Sequence, residues 1–165
     1  MKSVDLFDFI ISNLKIRRNS MGIMLKQVTK ENWYECNNLE IYKEQEGIVA
    51  PNYNSIILSL LYENWNAKCI YEDDILIGLL LYGIEEDTSN PMLLRFMIDK
   101  KFQDKGLGKK AMLKLLDLIK VEYGNIKFYT TVSPQNISAK KLYESVGFEE
   151  TDEIMWDENV MVLQL

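Results

Sequence analysis

Apolar positions along this chain alternate between strand-like runs and helical repeats, and their order predicts one α/β domain. Met24 to Val28 reads as a short first strand. Thr29, followed by Lys30, Glu31 and Asn32, offers a helix start, and a helical pattern runs on through Trp33, Cys36 and Leu39. A loop over Gly47 to Asn54 contains Pro51, and Ser55 is expected to cap a second helix carrying Ile56, Leu60 and Leu61. Two β-rich runs, Ala67 to Tyr71 and Ile75 to Ile84, flank Glu72-Asp73-Asp74, which is a hairpin pattern. A polar loop over Glu85 to Pro91 leads into a strand at Met92 to Ile98. Lys109 to Glu122 places Met112, Leu115, Leu116 and Ile119 on one helical face, and Gly124-Asn125 ends that helix. Ile126 to Val132 is a strand, and Asn136 to Val146 is an amphipathic helix stopped at Gly147. Phe148 to Thr151 and Asn159 to Leu165 close the chain as a strand pair. The succession predicts a mixed, mostly antiparallel sheet of about seven strands flanked by helices, with one parallel crossover after Ile98.

Residues 1–23 stand apart. Leu6, Phe7, Phe9, Ile10, Ile11, Leu14 and Ile16 are apolar, interrupted by Asp5 and Asp8 and followed by Lys15, Arg17 and Arg18. A secretory signal has its positive charge first, so this order predicts an amphipathic helix packed on the domain or on a partner. The domain itself is expected over 24–165.

Composition narrows the function classes. An apolar fraction of 47% with 27% charged residues suits a folded domain rather than a disordered chain. A net charge of −6 argues against nucleic acid as a partner, because binding phosphates nonspecifically needs a basic face. No apolar run approaches the ~20 residues of a membrane span. There is no histidine, and the two cysteines, Cys36 and Cys69, lack metal-type spacing. No metal is therefore expected, and Ser-His or Cys-His nucleophilic pairs are excluded. Both cysteines read as structural, in a reducing cytoplasm.

The chemistry concentrates in Gln103-Asp104-Lys105-Gly106-Leu107-Gly108-Lys109, between a predicted strand and a predicted helix. A helix start leaves backbone N–H groups unpaired and carries a partial positive charge, and glycines let a phosphate approach them. The spacing is neither a Walker loop nor a dinucleotide fingerprint. The segment reads as a diphosphate cradle, with Lys105 and Lys109 adding charge at its rim. A plain turn capping a helix is the competing account from this loop alone.

Beyond the next strand comes Asn136-Ile137-Ser138-Ala139-Lys140-Lys141-Leu142-Tyr143-Glu144-Ser145-Val146-Gly147-Phe148. Together the two segments resemble the GNAT N-acetyltransferase superfamily over about Leu25 to Leu165. Arg95-Phe96-Met97-Ile98-Asp99 and the closing Val160-Met161-Val162-Leu163 are similar to bacterial spermidine/spermine acetyltransferases. The resemblance implies acetyl-CoA as cosubstrate and a small-molecule amine as acceptor, with a homodimer expected by analogy. Phe96, Met97 and Ile98 match the splayed strand that pairs with the pantetheine arm. Gln103, Asp104, Lys105, Gly106, Leu107, Gly108 and Lys109 match the pyrophosphate-binding segment. Asn136 and Ala139 match positions along the coenzyme arm, and Tyr143 matches the general acid that protonates the departing thiolate.

The general base is the point of departure. Similar polyamine acetyltransferases carry Glu or Asp where this chain has Leu94. Glu85, Glu86 and Asp87 are candidates, as are Glu40, Glu44 and Glu46; for each, a solvated surface charge is the simpler account. Trp33, Tyr34, Tyr42, Trp65, Trp156, Asp157 and Glu158 could supply ring faces and carboxylates for a cationic substrate. Polyamines come first as acceptors. Protein, peptide or aminoglycoside-like amines, or an acetyl-CoA sensor without catalysis, are the alternatives.

Overall fold

The computed structural model describes residues 22–165, and the helix expected in the first 23 residues lies outside this range but for its last two positions. The strands are β1 (Ile23–Gln27), β2 (Trp65–Glu72), β3 (Ile75–Ile84), β4 (Pro91–Ile98), β5 (Lys127–Val132), β6 (Glu149–Met155) and β7 (Glu158–Gln164). The helices are α1 (Trp33–Asn37), α2 (Asn52–Leu61), α3 (Leu107–Tyr123) and α4 (Ile137–Ser145), with a 3-10 turn at Lys43–Gln45. All seven strands form one sheet in the order β1-β2-β3-β4-β5-β7-β6. Only β4 and β5 run parallel, so the expected mixed, mostly antiparallel architecture is what the chain adopts.

β3 reads as a nearly continuous apolar run because both of its faces are covered. Ile77, Leu80 and Tyr82 pack with Ala111, Met112, Leu115 and Ile119 of α3, while Leu79 and Leu81 pack with Cys36, Ala67 and Cys69 on the opposite face. Side chains alternate across a strand, so each face buries its own set. Phe128 and Phe148 extend the first core toward α4, with ring centroids 6.1 Å apart.

The parallel join is short. β4 and β5 pair only at Met92↔Tyr129 and Leu93↔Thr130. The Thr130 hydroxyl reinforces that last rung by donating to the Leu93 carbonyl at 3.0 Å. Beyond it the strands part, and residues 94–98 keep β3 on one side with no strand on the other among the described residues. A bulge at Leu94, between the pairs Leu81↔Arg95 and Tyr82↔Leu93, lies at this fork. Bulges re-aim side chains in this way, and here Leu94 and its neighbour Arg95 both line the gap.

Four local expectations need correction. α1 is only five residues long and stops at Asn37, short of Leu39. α2 begins at Asn52, directly after Pro51, and Ser55 is buried inside it rather than capping it. Proline at φ −55° is already set for a helix entry, so the turn starts earlier than the polar residues suggest. Leu60 and Leu61 stand out from the surface, Leu60 at 78% exposure, so only Ile56 of the three named apolar residues enters the core. β6 runs to Met155 instead of ending at Thr151, and Trp156-Asp157 forms its turn into β7.

Candidate active site

The fork opens a cleft of two lobes that share Val49, Phe96, Asn136 and Ala139. One lobe, of 230 Å³, is lined by β4, the glycine loop and α4; the other, of 530 Å³, by β4, β5, the β3–β4 loop and the β6–β7 hairpin.

The smaller lobe gathers Phe96, Met97, Ile98, Gln103, Asp104, Gly106, Gly108, Lys109, Asn136 and Ala139. Its loop is held from below. The Asp99 side chain accepts from the amides of Glu40 and Lys101, each at 2.9 Å. The Gln103 amide nitrogen donates to the Ile98 carbonyl at 2.8 Å and to Gln45 at 3.0 Å, and Gln45 donates back to the Gln103 oxygen at 3.2 Å. Gln103 therefore acts as a brace, and Gln45 is a partner that the sequence motif does not include. Asp104 (φ 60°) and Gly106 (φ 74°) take left-handed conformations that turn the chain into α3.

The first bond closing α3 runs from Lys110 N to Gly106 O. The amides of Gly106, Leu107, Gly108 and Lys109 precede it and have no carbonyl one turn back to bond. A side chain added at Gly108 would meet Leu142, Ile98 and Phe96 at 3.6–3.8 Å, on the floor of this lobe. Two sequence-named residues point elsewhere. Lys105 gives its ammonium to the Lys101 carbonyl at 2.6 Å, and Leu107 buries its side chain in the core. Leu107 keeps only its backbone amide at the helix start.

Asn136 caps α4, its side-chain oxygen accepting from Ala139 N at 3.1 Å. Its amide nitrogen retains two donors. About two turns further on, Tyr143 is 6% exposed and packs against Phe148, with ring centroids 5.8 Å apart. Burial pushes its hydroxyl up to about 12, although a hydrogen bond with Thr130 pulls the other way and the charge of Glu158 adds to the rise. Thr130 is also the last rung of the fork, so the phenol stands where β4 and β5 part.

The larger lobe holds four carboxylates, Glu85, Glu86, Asp87 and Glu158, against one guanidinium, Arg95. Burial would raise the Glu85 carboxyl. Hydrogen bonds from Thr88, and from the amides of Asp87 and Glu86, outweigh that and hold it below the usual carboxylate range. Burial lowers Arg95, partly offset by Glu158, and its Nε has no hydrogen-bond partner among the described residues. Trp65 and Trp156 line this lobe; Trp33, Tyr34, Tyr42 and Asp157 do not. Glu40 pairs with Lys100 at 2.8 Å, and neither Glu44 nor Glu46 lines either lobe. Cys36 and Cys69 are buried away from the cleft, and their mutual contact together with burial keeps Cys36 protonated.

The model of the acetyltransferase (GNAT) family matches residues 29–148. This chain belongs to that family. It is 29% identical to the spermine/spermidine N(1)-acetyltransferase of Bacillus subtilis (strain 168) over 152 residues, covering 88% of this chain and all of that protein. A "Probable spermine N(1)-acetyltransferase" of Bacillus subtilis subsp. natto (strain BEST195) is 30% identical with the same coverage. The fold also matches the PaiA N-acetyltransferase of Thermoplasma acidophilum solved with coenzyme A, with a TM-score of 0.65 at 19% identity, covering 88% of this chain and 100% of that one. The chain is an acetyl-CoA-dependent N-acetyltransferase of the GNAT family. No described helix is long and apolar enough to cross a membrane.

Proposed function

We propose that this GNAT enzyme moves an acetyl group from acetyl-CoA directly to a primary amine of a polyamine such as spermidine or spermine. The single observation that carries the reading is the charge of the larger lobe, four carboxylates against one guanidinium. An acceptor with several ammonium groups is drawn to such a surface, and an anionic one is repelled. The exposed ring of Trp156 at the rim adds a face for a cation. The names of the two Bacillus relatives agree with this acceptor class.

In this reading the amides at the start of α3 hold the pyrophosphate, since unpaired N–H groups at a helix start favour an anion. Lys109 adds charge there, and Gln103 and Asp104 shape the loop. The free edge of β4 at Phe96, Met97 and Ile98 offers backbone donors and acceptors to the amide-bearing pantetheine arm. Asn136 offers its side-chain amide, and Ala139 leaves room for the arm between α4 and β4. Bound acetyl-CoA supplies an activated acyl thioester. Tyr143 provides the proton for the departing sulfur; its raised pKa keeps the hydroxyl intact across the working pH range. Direct attack by the amine needs no protein nucleophile, which suits a site without histidine.

Following thiol release with acetyl-CoA and a panel of amines tests the reading. Spermidine and spermine should be turned over at least tenfold faster, as kcat/KM, than a peptide amine or an aminoglycoside. Equal rates across the panel would remove the polyamine assignment, and no turnover would leave acetyl-CoA binding alone.

A further inference from the structure

We infer that Glu158, at the start of β7, is the carboxylate that receives the reacting nitrogen of the acceptor, in place of the acid that Leu94 leaves missing on β4. The inference rests on the amine-acetyltransfer reading above.

Glu158 lines the larger lobe together with Tyr143, and the two are near enough for its charge to bear on the phenol. Thr131 Oγ1 donates to Glu158 Oε2 at 2.5 Å, which fixes one oxygen. Oε1 has no hydrogen-bond partner among the described residues. Thr131 follows Thr130, the last residue of β5 paired to β4, so the carboxylate is tied to the strand that forms the fork. No salt bridge ties Glu158 to Arg95 among the described residues.

The hairpin that presents Glu158 is itself strained. Trp156 (φ 53°) and Asp157 (φ 62°) both occupy left-handed backbone, in a two-residue turn where asparagine and glycine are the usual occupants. Strain of this kind gathers at functional sites. Here it holds a 55% exposed indole at the mouth of the lobe and sets the first residue of β7 facing inward.

The other carboxylates are less suited. Glu85 is buried and engaged by the Thr88 amide at 2.8 Å and hydroxyl at 3.0 Å. Glu86 and Asp87 are exposed on the loop at the rim. Around Glu158 the lobe contributes Tyr62 from the end of α2, Glu85, Glu86 and Asp87 from the β3–β4 loop, Arg95 from β4 and Tyr143 from α4.

The step balances without an added reagent. Glu158 holds the ammonium through Oε1 and takes up one of its protons as the nitrogen lone pair forms the N–C bond to the thioester carbonyl. The C–S bond breaks with its electron pair passing to sulfur, and Tyr143 gives sulfur its hydroxyl proton. The nitrogen loses its second proton to the Tyr143 oxygen as the amide forms, and the proton on Glu158 passes to solvent through the open cleft. One ammonium and one thioester give one amide, one thiol and one proton.

The test is Glu158→Gln, assayed with spermidine at pH 7.5 and pH 10, alongside coenzyme A titration and thermal melting. Near pH 10 roughly a quarter of a primary amine of pKa ~10.4 is neutral, against about 0.1% at pH 7.5, so turnover depends far less on a proton acceptor. The expected result is a kcat/KM at least 100-fold below the parent at pH 7.5, shrinking to under tenfold at pH 10, with coenzyme A affinity within threefold. Glu158→Asp should keep more activity than Glu158→Gln, which guards against a folding defect. Activity within threefold of the parent at pH 7.5, or an equal deficit at both pH values, would overturn the assignment. Parent enzyme that releases no thiol with any amine would instead overturn the reading beneath it.

Discussion

The two lobes of the cleft are built by different means. The smaller lobe is made chiefly of main chain: the free edge of β4, a turn with Asp104 and Gly106 in left-handed conformations, and the start of α3. The larger lobe is made of side chains from separate segments, with Glu85 on one loop, Arg95 on β4, Tyr143 on α4 and Glu158 on the β6–β7 hairpin. A main-chain site must be encoded as a contiguous run with glycine where φ demands it, so it leaves a motif. A side-chain site needs only that distant positions meet, and each of its residues looks ordinary alone.

Substitutions in each lobe test that contrast. The largest effect is expected at Tyr143, on the wall of the larger lobe. Tyr143→Phe should lower kcat by about 10²–10⁴, the usual contribution of a positioned proton donor, while coenzyme A affinity stays within threefold by calorimetry. Unchanged turnover would remove its role as acid. Its pH dependence carries a sign. The group must be protonated to act and is pushed up to about 12, so its deprotonation should not reduce kcat until the pH passes roughly 11.

Gly106→Val tests the main-chain lobe. A β-branched residue at φ 74° is strained by roughly 1–2 kcal/mol and crowds the amides, so coenzyme A affinity should fall about 10- to 100-fold. Affinity equal to the parent would show that the turn does not hold the pyrophosphate. Trp156→Gly should act on the other lobe alone. Relief of left-handed strain should raise thermal stability, while the KM for spermidine rises about three- to tenfold and coenzyme A binding is unaffected. A smaller effect still is expected at Lys105, whose ammonium is occupied by the Lys101 carbonyl. Lys105→Ala should change coenzyme A affinity less than twofold, whereas Lys109→Ala, which alters a lining residue, should lower it several-fold.

How much could be read in advance follows the same division. The seven strands and their succession along the chain were legible from period-2 and period-3.6 patterns, and the glycine loop from its place between strand and helix; the sheet order, with β7 between β5 and β6, was not. The larger lobe was legible only in outline. Trp156 and Glu158 could be named as aromatic and acid, but the turn that aims them has no Asn-Gly signature, so β6 was expected to end at Thr151. Its real end at Met155 depends on two residues tolerating positive φ, a tertiary outcome that local propensity does not carry. The Gln45–Gln103 brace escaped for a related reason: its partners are 58 positions apart. Pro51 was the exception, since its fixed φ marks where α2 begins and could have been weighed above Ser55.

The acidic larger lobe is the feature on which the acceptor class depends, and matched amines test it most directly. Thiol release should be compared for spermidine and for 1-aminobutane, a primary amine without additional ammonium groups, at equal ionic strength. Selection by the carboxylates predicts a kcat/KM for spermidine at least tenfold higher, with the preference shrinking as salt is raised. Equal kcat/KM for the two amines at low salt would contradict it.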